Sequence, residues 1–406
     1  MLARRLVLGG ASVILLEASD SLGGTVARQT VGGIELDAGA ESFATRGGIV
    51  AKLAEALHLG GDIVEPNPEG AWLQTASGKA FRLPANSLLG IPGSPLAADV
   101  VAIIGGRAGT RAFFETLIPS FYGAKASTLG ELVRKRMGTA VLDQLVRPIA
   151  RGVHSADADE LPLDQVVPGL RSAMVRQGSL ARAVLELRET SARAGSAVAG
   201  IRGGVVRIVD ALQADLDRFG VDVRLGSRAT DLRKDRVTVG GSILSGTVVA
   251  AAPGLLGGSA DRGNRITLAT LVVDQPLLDP APRGTGVLVA QGAPGVSARA
   301  MTHSTAKWEW LAERAGGKHV LRLSYDDSSA DLADVARHDA EVLLGVPLPS
   351  SAVLDFASIE WYRPNRYTPT PDDIPLVGES IAGTGLASVV ARSEALAGNL
   401  LTDAEG

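Results

Sequence analysis

Ser12-Val13-Ile14-Leu15-Leu16-Glu17 is a short, unbroken apolar run that ends in an acid, and the glycine pair Gly23-Gly24 follows. Such a run suits a strand buried on both faces of a parallel sheet. In a dinucleotide fold, an acid at the end of that strand accepts hydrogen bonds from ribose hydroxyls. Paired glycines let backbone approach a diphosphate closely, because no Cβ stands in the way. A strand end followed by a plain glycine turn reads the same residues without any ligand.

Glycine recurs too often for a plain turn to be the whole account. The chain holds 49 glycines in 406 residues, well above the usual ~7%. One cluster, Asp37-Ala38-Gly39-Ala40-Glu41-Ser42-Phe43, comes just after a Gly32-Gly33 hairpin turn. Another, Gly378-Glu379-Ser380-Ile381-Ala382-Gly383-Thr384-Gly385-Leu386-Ala387, runs into a helix. Glycines where a loop enters a helix present free N–H groups and a positive dipole end to an anion or carbonyl.

Composition excludes several classes. There is no cysteine, so disulfides, thiolate zinc sites, iron–sulfur clusters and cysteine nucleophiles are out. The net charge is −4, with 40 basic and 44 acidic residues, which is no footprint for a nucleic-acid binder. Five histidines never occur as a close pair in sequence, so a histidine metal site is not expected. The longest charge-free run, residues 237–260, contains Gly240-Gly241, Gly246 and Pro253-Gly254, so it reads as strands and turns rather than a bilayer span. A cytoplasmic protein is the expectation, with peripheral membrane contact compatible.

The pattern predicts a helix over residues 2–8 ending at Gly9-Gly10, a strand over 12–17 and a hairpin over 30–36. Residues 83–187 are dominated by helical periodicity, over 97–104, 111–117, 131–137, 140–146 and 178–191, with Pro92, Pro95, Pro148, Pro162 and Pro168 as separators. Thr128-Leu129-Gly130-Glu131 fits a capping box. After Gly203-Gly204, apolar Ile208, Leu212 and Leu216 mark a helix over 206–219. Strands are expected over 221–225, 227–230, 236–239, 242–244, 248–252, 267–274, 285–289 and 319–325, and helices over 331–344 and at the C-terminal end. The fold class is α/β.

In order, Glu17, Gly23-Gly24, Gly39-Ala40-Glu41-Ser42, Gly203-Gly204, Ala251-Ala252-Pro253 and Gly383-Thr384-Gly385 resemble the FAD-dependent amine-oxidase-like flavoproteins. Within them the chain looks like the protoporphyrinogen/coproporphyrinogen oxidases of actinobacterial type. Leu88-Leu89-Gly90-Ile91-Pro92-Gly93, Arg147-Pro148, Gly152-Val153-His154-Ser155-Ala156-Asp157, Pro168-Gly169-Leu170-Arg171, Thr285-Gly286, Leu288-Val289, Lys307-Trp308 and Gly385-Leu386-Ala387-Ser388 carry that likeness. Two departures stand out. The family's opening strand and G-x-G-x-x-G loop have no counterpart in the 16 residues before Glu17, and residues 363–375 replace a longer stretch. Weak FAD binding by the chain as written is the corresponding expectation.

The resemblance implies a dinucleotide-binding (FAD/NAD(P)-like) domain from residues 1–60, 200–255 and 376–406. It implies a mixed-sheet substrate domain from 61–83 and 256–375, and a helical insertion over 84–199. It implies that Glu17 and Ala18 meet the adenosine ribose, and that Gly23, Gly24, Thr25, Gly39, Ala40, Glu41 and Ser42 line diphosphate and flavin. Ala229 would meet the adenine edge, and Thr384, Gly385 and Leu386 the isoalloxazine, with Trp361 flanking it. Arg46 and Lys307 are the candidates for substrate propionates, since a buried carboxylate needs a cationic partner. No acid–base pair is identified, and His154 reads as structural. The implied reaction oxidises a porphyrinogen, coproporphyrinogen III being preferred, to the porphyrin in three rounds, with dioxygen reduced to peroxide. A membrane surface or another haem-pathway enzyme is compatible as a partner. Protoporphyrinogen IX oxidation, another flavin amine oxidase or desaturase, and an inactive remnant stay open.

Overall fold

The computed structural model describes residues 1–154, 156–192, 198–252, 263–327, 330–363, 374–383 and 385–405, and for Arg46, His154, Ser191, Ala192, Asp403, Ala404 and Glu405 the backbone only. The chain divides into two compact units. The first comprises Met1–Pro66, Ala197–Ile266 and Ile359–Gly406; the second comprises Asn67–Ser196 and Thr267–Ser358.

In the first unit, helix Leu2–Leu8 is followed by strand Ile14–Leu16, which pairs in parallel with Asp222–Arg224. The Arg28–Val31 and Ile34–Asp37 strands form the expected hairpin. Both turn residues, Gly32 and Gly33, have positive φ (57° and 75°), as a tight two-residue hairpin turn requires. Helix Arg207–Arg218 buries Ile208, Leu212 and Leu216, the stripe its sequence marks. Phe43, Val50, Val205, Ile208 and Val390 share one apolar cluster, with Val26, Leu386 and Ala387 packed against it.

The expected strand over 248–252 does not form. Ala250 makes a single parallel bridge to Leu376, through Ala250 N–H to the Pro375 carbonyl and Val377 N–H to the Ala250 carbonyl. Pro375 has no N–H to extend the ladder. Ala251 and Ala252 lie outside any strand, and Pro253 and Gly254 lie outside the described residues.

Most of a seven-stranded mixed sheet belongs to the second unit; residues 264–266 and 359–363 of its strands are counted with the first. Its order is Val353–Arg363, Asn264–Val273, His319–Tyr325, Ala300–His303, Gly286–Val289, Trp72–Gln74, Ala80–Arg82. One face is apolar: Leu271, Val287, Met301, Leu321 and Leu323 pack with Leu332, Ala336, Ala340 and Leu343 of helix Leu332–Leu344. Leu73 and Leu288 join the core of the helical block. There Gly152 permits close approach, since a Cβ would lie 2.2 Å from a Leu288 methyl.

Three local expectations need correction. The helix expected over 111–117 is instead Gly106–Phe113 followed by a tighter turn, Phe114–Leu117. Pro148 does not separate two helices. A π-turn over Leu142–Val146 leads straight into helix Arg147–His154, and Pro148, which has no N–H to donate, falls at that junction inside one helical run. In the capping box, the Thr128 hydroxyl accepts from Glu131 N–H as expected, but the Glu131 carboxylate accepts from Ser127 N–H, one residue earlier than the motif prescribes.

Candidate functional site: a glycine-lined cradle

In the first unit, Glu17 closes its strand by donating its N–H to the Arg224 carbonyl at 3.0 Å. One carboxylate oxygen accepts from Ser19 N–H (2.7 Å) and from the Ser19 hydroxyl (2.8 Å). That Asx-like turn fixes the carboxylate at the strand end. The Glu17 carbonyl accepts from Ser227 N–H, and the Ser19 carbonyl from Gly226 N–H. The segment leading to Ala229 therefore lies against Glu17 and the exposed Ala18, although 200 or so residues intervene in sequence. Ala229 opens a three-stranded antiparallel sheet, paired with Val239.

The early glycine clusters are drawn together as well. Gly23 (φ 115°) and Gly24 (φ 59°) both occupy backbone regions closed to most side chains. The Thr25 carbonyl accepts from Ala40 N–H at 3.2 Å. A Cβ on Gly39 would lie 1.8 Å from that carbonyl, so only glycine allows the two strands of backbone to meet. Glu41 and Ser42 follow, both half-buried, and lead into the buried Phe43. Gly385 (φ 108°) has open space where a Cβ would stand, and Leu386 opens the long helix Leu386–Glu405. Thr384 lies outside the described residues. Trp361 donates its indole N–H to the Ala38 carbonyl at 3.1 Å, placing its ring beside the Gly39 segment.

Sequence reading missed what holds this arrangement. Asp37 is buried, and its two oxygens accept from Val205 N–H (2.9 Å) and Val206 N–H (3.0 Å), just ahead of helix Arg207–Arg218. Gly204 (φ 108°) leaves room for it, its Cβ position being 3.0 Å from an Asp37 oxygen. Glu379, in the C-terminal cluster, is held above the usual carboxylate range by burial, against a lowering influence from Arg363. No residue type at these positions distinguishes them in sequence from ordinary surface acids.

Lys307, in the second unit, has its ammonium 5.0 Å from the ring centre of the buried Trp308. The Arg46 side chain lies outside the described residues; its backbone starts a short turn, Arg46–Gly48. Two of the histidines, far apart in sequence, meet in the fold. Pairing of Ala300–His303 with His319–Tyr325 brings His303 Nε2 within 3.1 Å of His319 Nδ1, whose other nitrogen lies 3.1 Å from Asp279. Burial, and secondarily His319, lower the His303 pKa to about 3. Among the described residues, no group of three or more such side chains is arranged to hold a metal ion.

A strand-end acid, backbone-exposing glycines and a helix N-terminus all lie in the first unit, the kinds of group that suit an extended dinucleotide. Residues 1–261 match the family of flavin containing amine oxidoreductases, and the chain belongs to that family. It is a flavoprotein oxidoreductase. It is 28% identical to the coproporphyrinogen III oxidase of Mycobacterium leprae over 366 residues, covering 85% of this chain and 78% of that one. Against the enzyme of that name from Propionibacterium freudenreichii the identity is 24%, covering 83% and 72%. The match to the Staphylococcus aureus coproporphyrinogen III oxidase, 26% identical, takes in 54% of this chain and about half (49%) of that relative. Among solved structures, a protein of Exiguobacterium sp. 255-15 provisionally described as a protoporphyrinogen oxidase superposes with a TM-score of 0.82 at 22% identity, covering 99% of this chain and 96% of that one. Putrescine oxidase superposes at 0.65 with 16% identity, over 99% and 96% of the two chains. At these identities the superpositions establish the fold.

Proposed function

We propose that the protein oxidises coproporphyrinogen III to coproporphyrin III, with FAD as cofactor and dioxygen as acceptor. The observation that carries the FAD reading is the convergence of Glu17, Gly23–Thr25, Gly39–Ala40 and the Gly385–Leu386 helix start in one unit. The names and long overlaps of the actinobacterial relatives favour the porphyrinogen. A flavin held by the first unit's glycine segments would supply the redox chemistry, taking up hydride from a carbon between two pyrrole rings with dioxygen as the final acceptor. Six hydrogens leave the porphyrinogen in three rounds, and three dioxygen molecules become three of hydrogen peroxide.

In this reading, Glu17 accepts from the ribose hydroxyls, with Ala18 beside them, and Ala229 meets the adenine edge through its backbone. Gly23, Gly24 and Thr25 run along the diphosphate, and Gly39, Ala40, Glu41 and Ser42 continue toward the flavin. Thr384, Gly385 and Leu386 sit by the ring system, with Trp361 flanking it. Arg46 and Lys307 bind propionates. The protein's part is to orient, to exclude water and to pair the carboxylates.

The test is direct. Because weak binding is the expectation, purified protein is titrated with FAD and with FMN, and flavin absorbance is read on the complex. The protein is then mixed with coproporphyrinogen III, protoporphyrinogen IX or putrescine, with and without oxygen. The expected result is FAD, oxygen-dependent porphyrin fluorescence greatest with coproporphyrinogen III, and one peroxide per two electrons. A yellow protein that turns over only the amine overturns the substrate; a protein that neither retains nor takes up flavin overturns the whole reading.

A further inference from the structure

The sheet of the second unit has two unlike faces. Along strand His319–Tyr325, Leu321, Leu323 and Tyr325 enter the core that helix Leu332–Leu344 covers. Successive side chains of a strand point to opposite faces, so Val320, Arg322 and Ser324 belong to the other one. The register carries that face across the neighbouring strands. Arg322 stands opposite Thr270 on one side and Thr302 on the other. Ser324 stands opposite Leu268 and Ala300. Beyond Thr302 the Arg322 row ends at Gly286, which adds no side chain.

A central strand buried on both faces is ordinarily apolar throughout. This face keeps to that rule only at its ends. Val272 and Val320, opposite each other and buried, close one end. At the other, Leu288 packs with the helical block. Between them lie one guanidinium and three hydroxyls, with Thr270 buried and Arg322, Thr302 and Ser324 half-buried. A cation so placed calls for an anion, since charge withdrawn from water is costly. Asp326, the next position on this face just past the strand, already accepts from two other guanidiniums, Arg299 at 2.8 Å and Arg151 at 3.3 Å.

Resting on the porphyrinogen reading, we propose that Arg322 is a substrate-binding residue that pairs with a propionate carboxylate of the tetrapyrrole. The planar fork of a guanidinium matches a carboxylate with two parallel hydrogen bonds. Thr302, its cross-strand neighbour, is close enough to donate its hydroxyl to the same group. The strand fixes the cation's position, which suits a rigid ring whose charged ends lie at set distances.

The experiment reads binding rather than turnover. It uses the full chain with FAD in excess and follows the porphyrin Soret band. The ligands are coproporphyrin III and the tetramethyl ester of the same ring, at one fixed detergent concentration. Wild type is expected to bind the acid more tightly than the ester. Arg322→Gln should raise Kd for the acid by roughly tenfold or more and leave Kd for the ester unchanged. Thr302→Val should raise Kd for the acid by about threefold, again without moving the ester. Arg322→Lys keeps the charge without the fork and should recover part of the lost affinity. In steady state, Arg322→Gln should raise KM for coproporphyrinogen III more than it lowers kcat. A residue that only supports the sheet would weaken acid and ester alike. That outcome, or an unchanged Kd for the acid in Arg322→Gln, overturns the assignment and leaves the porphyrinogen reading standing. Wild type that binds neither ring overturns both. If Arg322→Gln does not fold, Arg322→Lys and Thr302→Val carry the same comparison of acid with ester.

Discussion

At Gly39 the fold has no room for one more carbon, and that makes the position a sharp probe of the cradle. A Cβ 1.8 Å from the Thr25 carbonyl forces the Gly23–Thr25 and Gly39–Ala40 segments apart. Gly39→Ala is expected to cost about 1–3 kcal/mol of stability and to release flavin, whereas Gly24→Ala, with open space around it, strains only its own backbone. Denaturant unfolding and flavin absorbance after gel filtration check both. His303 gives a pH prediction. Its pKa falls from 6.5 to about 3 in the folded protein, mainly through burial. The folded state therefore holds fewer protons than the unfolded one in that window. The stability tied to a neutral His303 is present above pH 6.5 and is lost as pH falls toward 3. His303→Gln is expected to flatten the decline of the denaturant midpoint across pH 6.5 to 4; an equally steep decline rules the histidine out. Arg46→Ala is expected to raise KM for the porphyrinogen more than it lowers kcat, the mark of lost uniform binding. Unchanged steady-state kinetics in that variant remove Arg46 from the site.

Among the elements, the buried Asp37 ties the hairpin strand Ile34–Asp37 to the start of helix Arg207–Arg218. Asp37→Ala leaves two amide N–H groups without their acceptor, at a cost of about 1–3 kcal/mol. Amide exchange at residues 205–208 should quicken most, while exchange in the helical block should not change. Elements built on local rules were readable in the sequence: the Gly32-Gly33 hairpin, the Ile208/Leu212/Leu216 stripe and the short strand Ile14–Leu16 ahead of Glu17, although Ile14 is exposed where burial on both faces was expected. Each depends on neighbours within a few residues. What escaped depends on pairing across long separations. Asp37 meets a helix some 170 positions away. His303 and His319 meet only because two strands align in one register. The strand expected over 248–252 failed because its partner supplies a proline, a fact of the partner and not of the segment. The cradle's glycines were legible as clusters. Their closeness to one another was carried by the family likeness, since spacing alone states no contact.

For the molecule as a whole, flavin should act as a structural ligand of the first unit. A ligand at 100 times its dissociation constant adds about 2.7 kcal/mol to the folded state. Removing flavin is therefore expected to lower the unfolding temperature. It should speed amide exchange in residues 12–44 and 204–210, and leave the core around Leu132, Leu145 and Met174 as protected as before. A uniform change across both units would mean that the cofactor is not held by the first unit's own residues. The chain enters and leaves that unit repeatedly, its parts being Met1–Pro66, Ala197–Ile266 and Ile359–Gly406. On a ribosome adding about 5–20 residues per second, the hairpin and its glycine turns emerge tens of seconds before the Leu386–Glu405 helix that packs against Phe43. For that interval the first unit's apolar residues have no complete core to enter. The newborn chain is thus a natural client for chaperones, and cofactor loading is expected to wait until the Leu386–Glu405 helix has emerged.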